Sequence, residues 1–184
     1  MDGNPELLMA RYQAGDLAAA RSLIDRVSPQ LHRFFELQAA NRADADDLLQ
    51  EAWLRIHRVR HTYQPGRPLL PWVYAIARRV RVDHYRKAVR NAVREQPLED
   101  LAETVAATET SHTEELEQLL APLSDGQREV LEMMKVAGMS LEEVAQATCS
   151  SVGSVKQKVH RAYEKLRQTV SLAELRKSSA GVVS

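Results

Sequence analysis

The sequence holds a single cysteine, Cys149, among 184 residues. One thiol excludes an intramolecular disulfide framework and suits a reducing compartment. Aromatic residues make up only 5% of the chain, and seven glycines and seven prolines exclude a collagenous or proline-rich fibre. Net charge is also missing, because 25 Lys and Arg balance 25 Asp and Glu. The longest strongly apolar, uncharged run is the ten residues from Pro68 to Ala77. Spanning a bilayer takes roughly twenty. The start, Met1 to Glu6, has neither a basic segment nor an apolar one, so no secretory signal is visible. These absences predict a soluble, cytoplasmic protein.

What is present is ordinary apolar content, 44%, and an uneven charge distribution. Residues 1–90 hold 15 basic and 10 acidic side chains, residues 91–118 hold 1 and 8, and residues 119–184 hold 9 and 7. The middle segment contains Gln96-Pro97 and the small polar run from Thr104 to Ser111. It has too little apolar surface to fold alone. The sequence therefore reads as two small domains, 1–90 and 119–175, joined by a flexible acidic linker, 91–118. As a surface loop within one compact fold, roughly 28 residues would be long. The tail, 176–184, is expected to be disordered.

The expected fold class is all-α, since no alternating β-branched run bounded by turn signals occurs. Apolar residues recur at helical spacing from Leu7 to Tyr12, from Ala18 to Val27 and from Leu31 to Leu37. Gly15-Asp16 separates the first two helices, and Ser28-Pro29 is expected to start a third. Asp44 or Asp46 is expected to cap a fourth, carrying Leu48, Leu49, Ala52, Trp53 and Ile56. Tyr63 to Pro68 must break it. A fifth is expected from about Pro71 to Arg90. Its apolar stripe is Val73, Ile76, Ala77, Val80 and His84. Arg78, Arg79, Arg81, Arg86, Lys87 and Arg90 face a single acid, Asp83, with Trp72, Tyr74 and Tyr85 interleaved. Basic side chains among aromatics suit single-stranded nucleic acid, where charges follow phosphates and rings stack on bases.

The C-terminal segment reads as a helix-turn-helix. A helix from about Ser124 to Ala137 carries Val130, Leu131 and Met134 inward and ends at Gly138, a left-handed cap. Ser140 with Glu143 forms a capping box for the next helix. A short turn, Thr148 to Ser151, leads to a third helix that Ser151 is expected to cap and that reaches about Arg167. Its stripe of Val152, Val155, Val159, Ala162 and Leu166 faces inward, which leaves Gly153, Gln157, His160, Arg161 and Glu164 outside. Ser, Gln, Lys and Arg on such a face suit a reader of the DNA major groove.

Three blocks of this sequence resemble the extracytoplasmic-function sigma factors of bacterial RNA polymerase. Arg42-Ala43-Asp44-Ala45-Asp46-Asp47-Leu48-Leu49-Gln50-Glu51-Ala52-Trp53-Leu54-Arg55 is similar to the family's core-binding segment. Tyr63 to Pro68, Pro71-Trp72-Val73, Ile76-Ala77-Arg78 and Asp83-His84-Tyr85-Arg86-Lys87 resemble its promoter-melting segment. Leu123 to Val130, Met139 to Ala145, Gly153-Ser154-Val155-Lys156 and His160-Arg161-Ala162 resemble its −35-reading domain. The resemblance implies that Asp47, Leu48, Gln50, Glu51 and Leu54 bind core polymerase. It implies that Gln64, Arg67, Trp72, Arg78, Arg79, Asp83 and Arg86 bind the single-stranded −10 element. Ser151, Ser154, Lys156, Gln157, Lys158 and Arg161 would contact the −35 duplex. The partners implied are core RNA polymerase, promoter DNA and an anti-sigma protein, which in a membrane-bound form would hold the chain at the inner membrane. No cofactor, metal, small-molecule substrate or catalytic residue is implied, since polymerase performs the chemistry.

The sequence departs from the family pattern at Thr148-Cys149-Ser150, where Leu-Gly-Ile is common, at Val152, where an acid is common, and at Leu70-Pro71. His57 and His61, four apart, lack a third metal ligand. Cys149 is expected to be inert and partly buried. Asp46, Asp47 and Glu51 are expected to be solvated or salt-bridged rather than a metal or acid–base cluster. Two other classes compete. A recombinase needs a catalytic domain, typically on an α/β sheet, that the helical N-terminal half does not offer. A two-domain helix-turn-helix regulator would bind duplex DNA without polymerase.

Overall fold

The computed structural model of the chain describes residues 4–37, 42–95 and 119–180. Among them every regular element is helical, as the sequence predicts. Helix α1, Pro5–Gln13, starts with Asn4 accepting from the Glu6 N–H and Pro5 in the first turn. Gly15 turns the chain at φ +94°, and Asp16 caps α2, Leu17–Glu36, by accepting from Ala18 and Ala19. Here the structure corrects the expected break at Ser28-Pro29, because Pro29 lies inside α2. An interior proline costs about 3 kcal/mol. Leu23, Val27, Leu31 and Phe34 bury fully on either side of it, at roughly 1.5–3 kcal/mol each, so the helix continues.

Helix α3, Arg42–Val59, starts before Asp44 and Asp46, so neither caps it. Asp44 instead sits in its first turn, where a carboxylate meets the positive end of the helix dipole. A single 3-10 turn, Arg60–Thr62, and the exposed stretch from Gln64 to Pro68 separate it from α4. Helix α4, Leu69–Glu95, is longer than expected at both ends. Residues 91–95, assigned to the linker by charge, are therefore helical; 96–118 lie outside the described residues.

The C-terminal trio is α5, Asp125–Lys135, α6, Leu141–Thr148, and α7, Val152–Ala180. Both α5 and α6 have capping boxes, the latter from Ser140 and Glu143 as expected. Gly138 takes φ +68° after α5. Ser151 Oγ caps α7 by accepting from the Ser154 N–H at 3.2 Å. Helix α7 runs past Arg167 to Ala180, so the tail expected to be disordered is helical through 180. Residues 181–184 lie outside the described residues.

The two helical units are not merely tethered. Helix α6 packs on α4 and α5 touches α2. One contiguous apolar core runs from Leu8, Val27, Phe34 and Val80 into Val130, Met133, Val144 and Val155.

Candidate nucleic-acid interface

On α3 the exposed face carries Asp46, Asp47, Gln50 and Leu54, the last 46% exposed. Leu48 is corrected: it is 3% exposed and belongs to the core, so it cannot meet a partner. Leu54 is an apolar side chain left in water beside carboxylates and an amide, a surface that suits a protein partner. Glu51 is half-buried and held by Arg55 at 2.8 Å. The same guanidinium reaches Asp83 of α4 at 2.6 Å. Arg55 thus ties the α3 face to α4, and its hydrogen bond holds the Asp83 carboxyl below the usual carboxylate range.

At the start of α4, Trp72 is half-buried, edge-on to Tyr63 with ring centroids 5.6 Å apart, and its Nε1–H points to Thr62 Oγ1 at 3.4 Å. Gln64 and Arg67 lie on the exposed loop before it, which turns at Gly66 with φ +86°. Arg79, Asp83 and Arg86 are exposed along α4, as are Tyr85, at 70%, and His84. His84 therefore does not continue the apolar stripe as expected. One end of α4 is thus an open basic and aromatic face.

Arg78 differs. Its Nε–H donates to Glu129 of α5 at 2.8 Å and its Nη1 to the Thr148 carbonyl at 3.3 Å. Arg81 reaches the same Glu129 oxygen at 3.4 Å. The Glu129 side chain is 2% exposed, so one carboxylate buried between the two units holds two arginines of α4. Arg128 beside it donates to the Leu37 carbonyl at the end of α2, at 3.1 Å. Glu129 and Arg81 were not singled out as site residues from the sequence. Separations of 48 and 51 residues leave no local signal.

On α7, Lys156, Gln157, His160 and Arg161 are exposed, whereas Ser154 and Lys158 are half-buried. The end of the Lys158 side chain lies over Gly126, where an added Cβ would sit 3.9 Å from it. Ser151 spends its hydroxyl on the helix cap. Cys149 takes the left-handed conformation, φ 52°, where the family commonly has glycine, and it is exposed rather than partly buried. Thr148 Oγ1 steadies this turn by bonding to the Val144 carbonyl and Ser150 Oγ. His57 Nδ1 bonds the Tyr12 hydroxyl. No cluster of three metal-ligating side chains occurs among the described residues, nor does any helix there have the length and apolarity to cross a membrane.

Comparison with known proteins follows this division. Residues 23–91 match the family described as Sigma-70 region 2, and residues 113–166 match Sigma-70, region 4. The chain is 32% identical over 170 residues to the RNA polymerase sigma factor CarQ of Myxococcus xanthus, covering 91% of this chain and 98% of that one. It is 31% identical to the ECF RNA polymerase sigma factor SigF of Caulobacter vibrioides, covering 91% and 94%. Among solved structures, the sigma factor RpoE in complex with the anti-sigma factor NepR from Bartonella quintana matches with TM-score 0.69 at 23% identity, covering 82% and 96%. CnrH in complex with the cytosolic domain of CnrY also gives TM-score 0.69, at 22% identity, covering 91% and 97%. At those identities the structural likeness concerns the fold.

Proposed function

The chain belongs to the extracytoplasmic-function sigma factors of bacterial RNA polymerase, and from that membership we propose how its surfaces divide the work. It is an alternative sigma factor that binds core polymerase, directs it to promoters and helps open the −10 element. The exposed α3 face, Asp47, Gln50 and Leu54, with Glu51 at its edge, docks on polymerase. The loop from Gln64 to Pro68, Trp72, Arg79 and Arg86 hold the opened −10 strand. Extruding a base costs a few kcal/mol, and a stacked base returns about 1–3 kcal/mol. Lys156, Gln157 and Arg161 read the −35 duplex from the major groove, with Lys158 on phosphate. The chain itself performs no bond chemistry; polymerase does.

The observation that carries this reading is the pairing of two different exposed faces. One is basic and aromatic on α4, beyond Arg78, and one is polar on the second helix of a capped helix-turn-helix. The first suits single strands and the second suits duplex. A plain duplex-binding regulator has no use for the α4 face. Arg78 joins the −10 surface only after Glu129 releases it. The closed packing of α6 on α4 is therefore the resting arrangement, and loading onto polymerase separates them. An anti-sigma partner, membrane-bound or free, would hold the chain off polymerase by covering the α3 face.

The test uses holoenzyme reconstituted with core polymerase. Trp72→Ala, Arg79→Ala and Arg86→Ala are expected to keep −35 affinity, lose permanganate reactivity of −10 thymines on duplex templates, and regain transcripts on a pre-melted bubble. Normal melting by all three variants would refute the assignment of α4.

A further inference from the structure

Helix α1 lies outside the matched region 2, which begins at residue 23. It nevertheless holds both ends of the segment joining α3 to α4. At the entry, Gln13 Nε2 donates to the carbonyl oxygens of Arg60 at 2.6 Å and Tyr63 at 2.8 Å. One amide nitrogen has two hydrogens, so it reaches both the Tyr63 carbonyl and the Arg60 carbonyl, which already accepts from the Tyr63 N–H at 3.2 Å. At the exit, the Glu6 carboxylate accepts from the Leu69 N–H at 3.1 Å. It caps α4 and places an anion at the positive end of that helix. Glu6 and Gln13 are seven positions apart, two helical turns, so they share one face of α1 about 10 Å apart.

Between these two anchors the loop bonds within itself. The Tyr63 hydroxyl donates to the Arg67 carbonyl, and the Arg67 N–H donates to the Gln64 carbonyl at 3.2 Å. Gln64, Pro65, Gly66, Arg67 and Pro68 are all exposed. Two open clefts, of about 400 and 510 Å³, lie between α1 and this segment. Gln13 lines one, Glu6 lines the other, and Pro65 lines both. The tip is thus spaced away from α1 rather than packed on it. The loop's two ends are fixed by these hydrogen bonds together with the burial of the flanking Tyr63 and Leu69 in the core.

We propose that Glu6 and Gln13 are positioning residues for the −10 loop. They fix the shape in which Gln64 to Pro68 receives an extruded base, and so contribute to promoter selectivity without touching DNA. This rests on the reading that the loop captures a base.

The experiment uses full-chain holoenzyme and bubble templates built on one promoter it transcribes, each position of the open −10 strand being changed to all four bases. Abortive transcript yield is the readout. Wild type is expected to discriminate tenfold or more among bases at one position. Glu6→Ala and Gln13→Ala should flatten that ratio to within threefold, with core polymerase affinity and −35 duplex binding within twofold of wild type. Glu6→Gln should keep the ratio, since its amide oxygen still accepts from Leu69. A merely structural loss would lower yield on every template alike and leave the ratio intact. Wild-type ratios in both alanine variants would overturn the proposal. Gln64→Ala and Arg67→Ala separate it from the reading beneath: if these loop variants also keep the ratio, or wild type discriminates nowhere, base capture itself is wrong. If they flatten it while Glu6→Ala and Gln13→Ala do not, only the positioning role fails. Should Glu6→Ala not fold, Gln13→Ala and Glu6→Gln still decide.

Discussion

Removing the charge of Glu129 should uncouple the two halves of the chain. Its carboxylate, 2% exposed, faces the Arg78 and Arg81 guanidiniums at 2.8 and 3.4 Å, with those side chains 35% and 18% exposed. Breaking a buried pair costs about 3–5 kcal/mol when it strands a charge. In Glu129→Gln the stranded charges are the arginines, which reach water in part. The cost should then sit at or below the low end, about 2–3 kcal/mol. Arg78→Ala alone should cost about 1–2 kcal/mol, because Arg81 still compensates the carboxylate. The Arg78→Ala/Arg81→Ala double variant strands Glu129 itself and should exceed the sum of the single variants, a coupling expected of shared partners. The assay is urea unfolding followed by two probes. Both tryptophans, Trp53 and Trp72, lie before the acidic segment, so fluorescence reports α1–α4 alone, whereas far-ultraviolet circular dichroism reports all helices. In wild type the two transitions should coincide, since one core spans both units. In Glu129→Gln and in the double variant they should separate. Glu129→Gln should also raise the affinity of the free chain for a single-stranded −10 oligonucleotide, and the gain should fall with salt as for an added phosphate contact. Strict additivity together with coincident transitions in every variant would show that the Glu129 clamp does not join the units in solution.

Three further outcomes follow from the geometry. Leu54→Glu should weaken co-elution with core polymerase while leaving the urea midpoint unchanged, whereas Leu48→Glu, a charge placed in the core, should unfold the N-terminal unit. Arg161→Ala and Gln157→Ala should each cost about 1–3 kcal/mol on the −35 duplex in a sequence-dependent way, while Lys158→Ala should weaken all sequences alike and lower the salt slope, both read by fluorescence anisotropy. The Asp83 carboxyl titrates below its ordinary value because it accepts from Arg55. Its contribution is therefore present above about pH 4 and is lost as pH falls through the lower folded value. On so exposed a pair the loss should be about 0.2–1 kcal/mol, and it should vanish from the acid limb of stability curves in Asp83→Asn.

Elements written by local chemistry were legible in the sequence. The capping box at Ser140 and Glu143, the left-handed Gly138, the Ser151 cap and the outward set of Gln157 and Arg161 all depend on neighbours within a turn or two. Errors arose where distant packing outvoted a local signal. Pro29 announces a helix start, but apolar burial on both sides carries α2 through it. Asp44 and Asp46 look like caps, but the helix begins earlier. Leu48 sits in a motif that resembles a docking face, yet its place on the helix turns it to the core. Cys149 is the reverse case: the turn needs a left-handed residue, and the chain supplies it without glycine, the αL geometry steadied by the Thr148 hydrogen bonds.

The largest gap concerns Arg78, and its cause is physical. A cationic row on a helix announces an anion without saying which one. From sequence, DNA phosphate was the natural answer for Arg78, Arg79 and Arg86 together. The structure divides them by facing direction: Arg79 and Arg86 look to solvent, while Arg78 and Arg81 look to α5 and find a carboxylate there. The same reasoning applies to Glu6 and Gln13, ordinary surface residues on a short helix until the chain folds back and places two backbone termini beside them. Residues whose role is to satisfy another segment's backbone or charge carry no pattern of their own. In this fold the polar contacts between its two units, and the three hydrogen bonds from α1 to the segment joining α3 to α4, are of that kind.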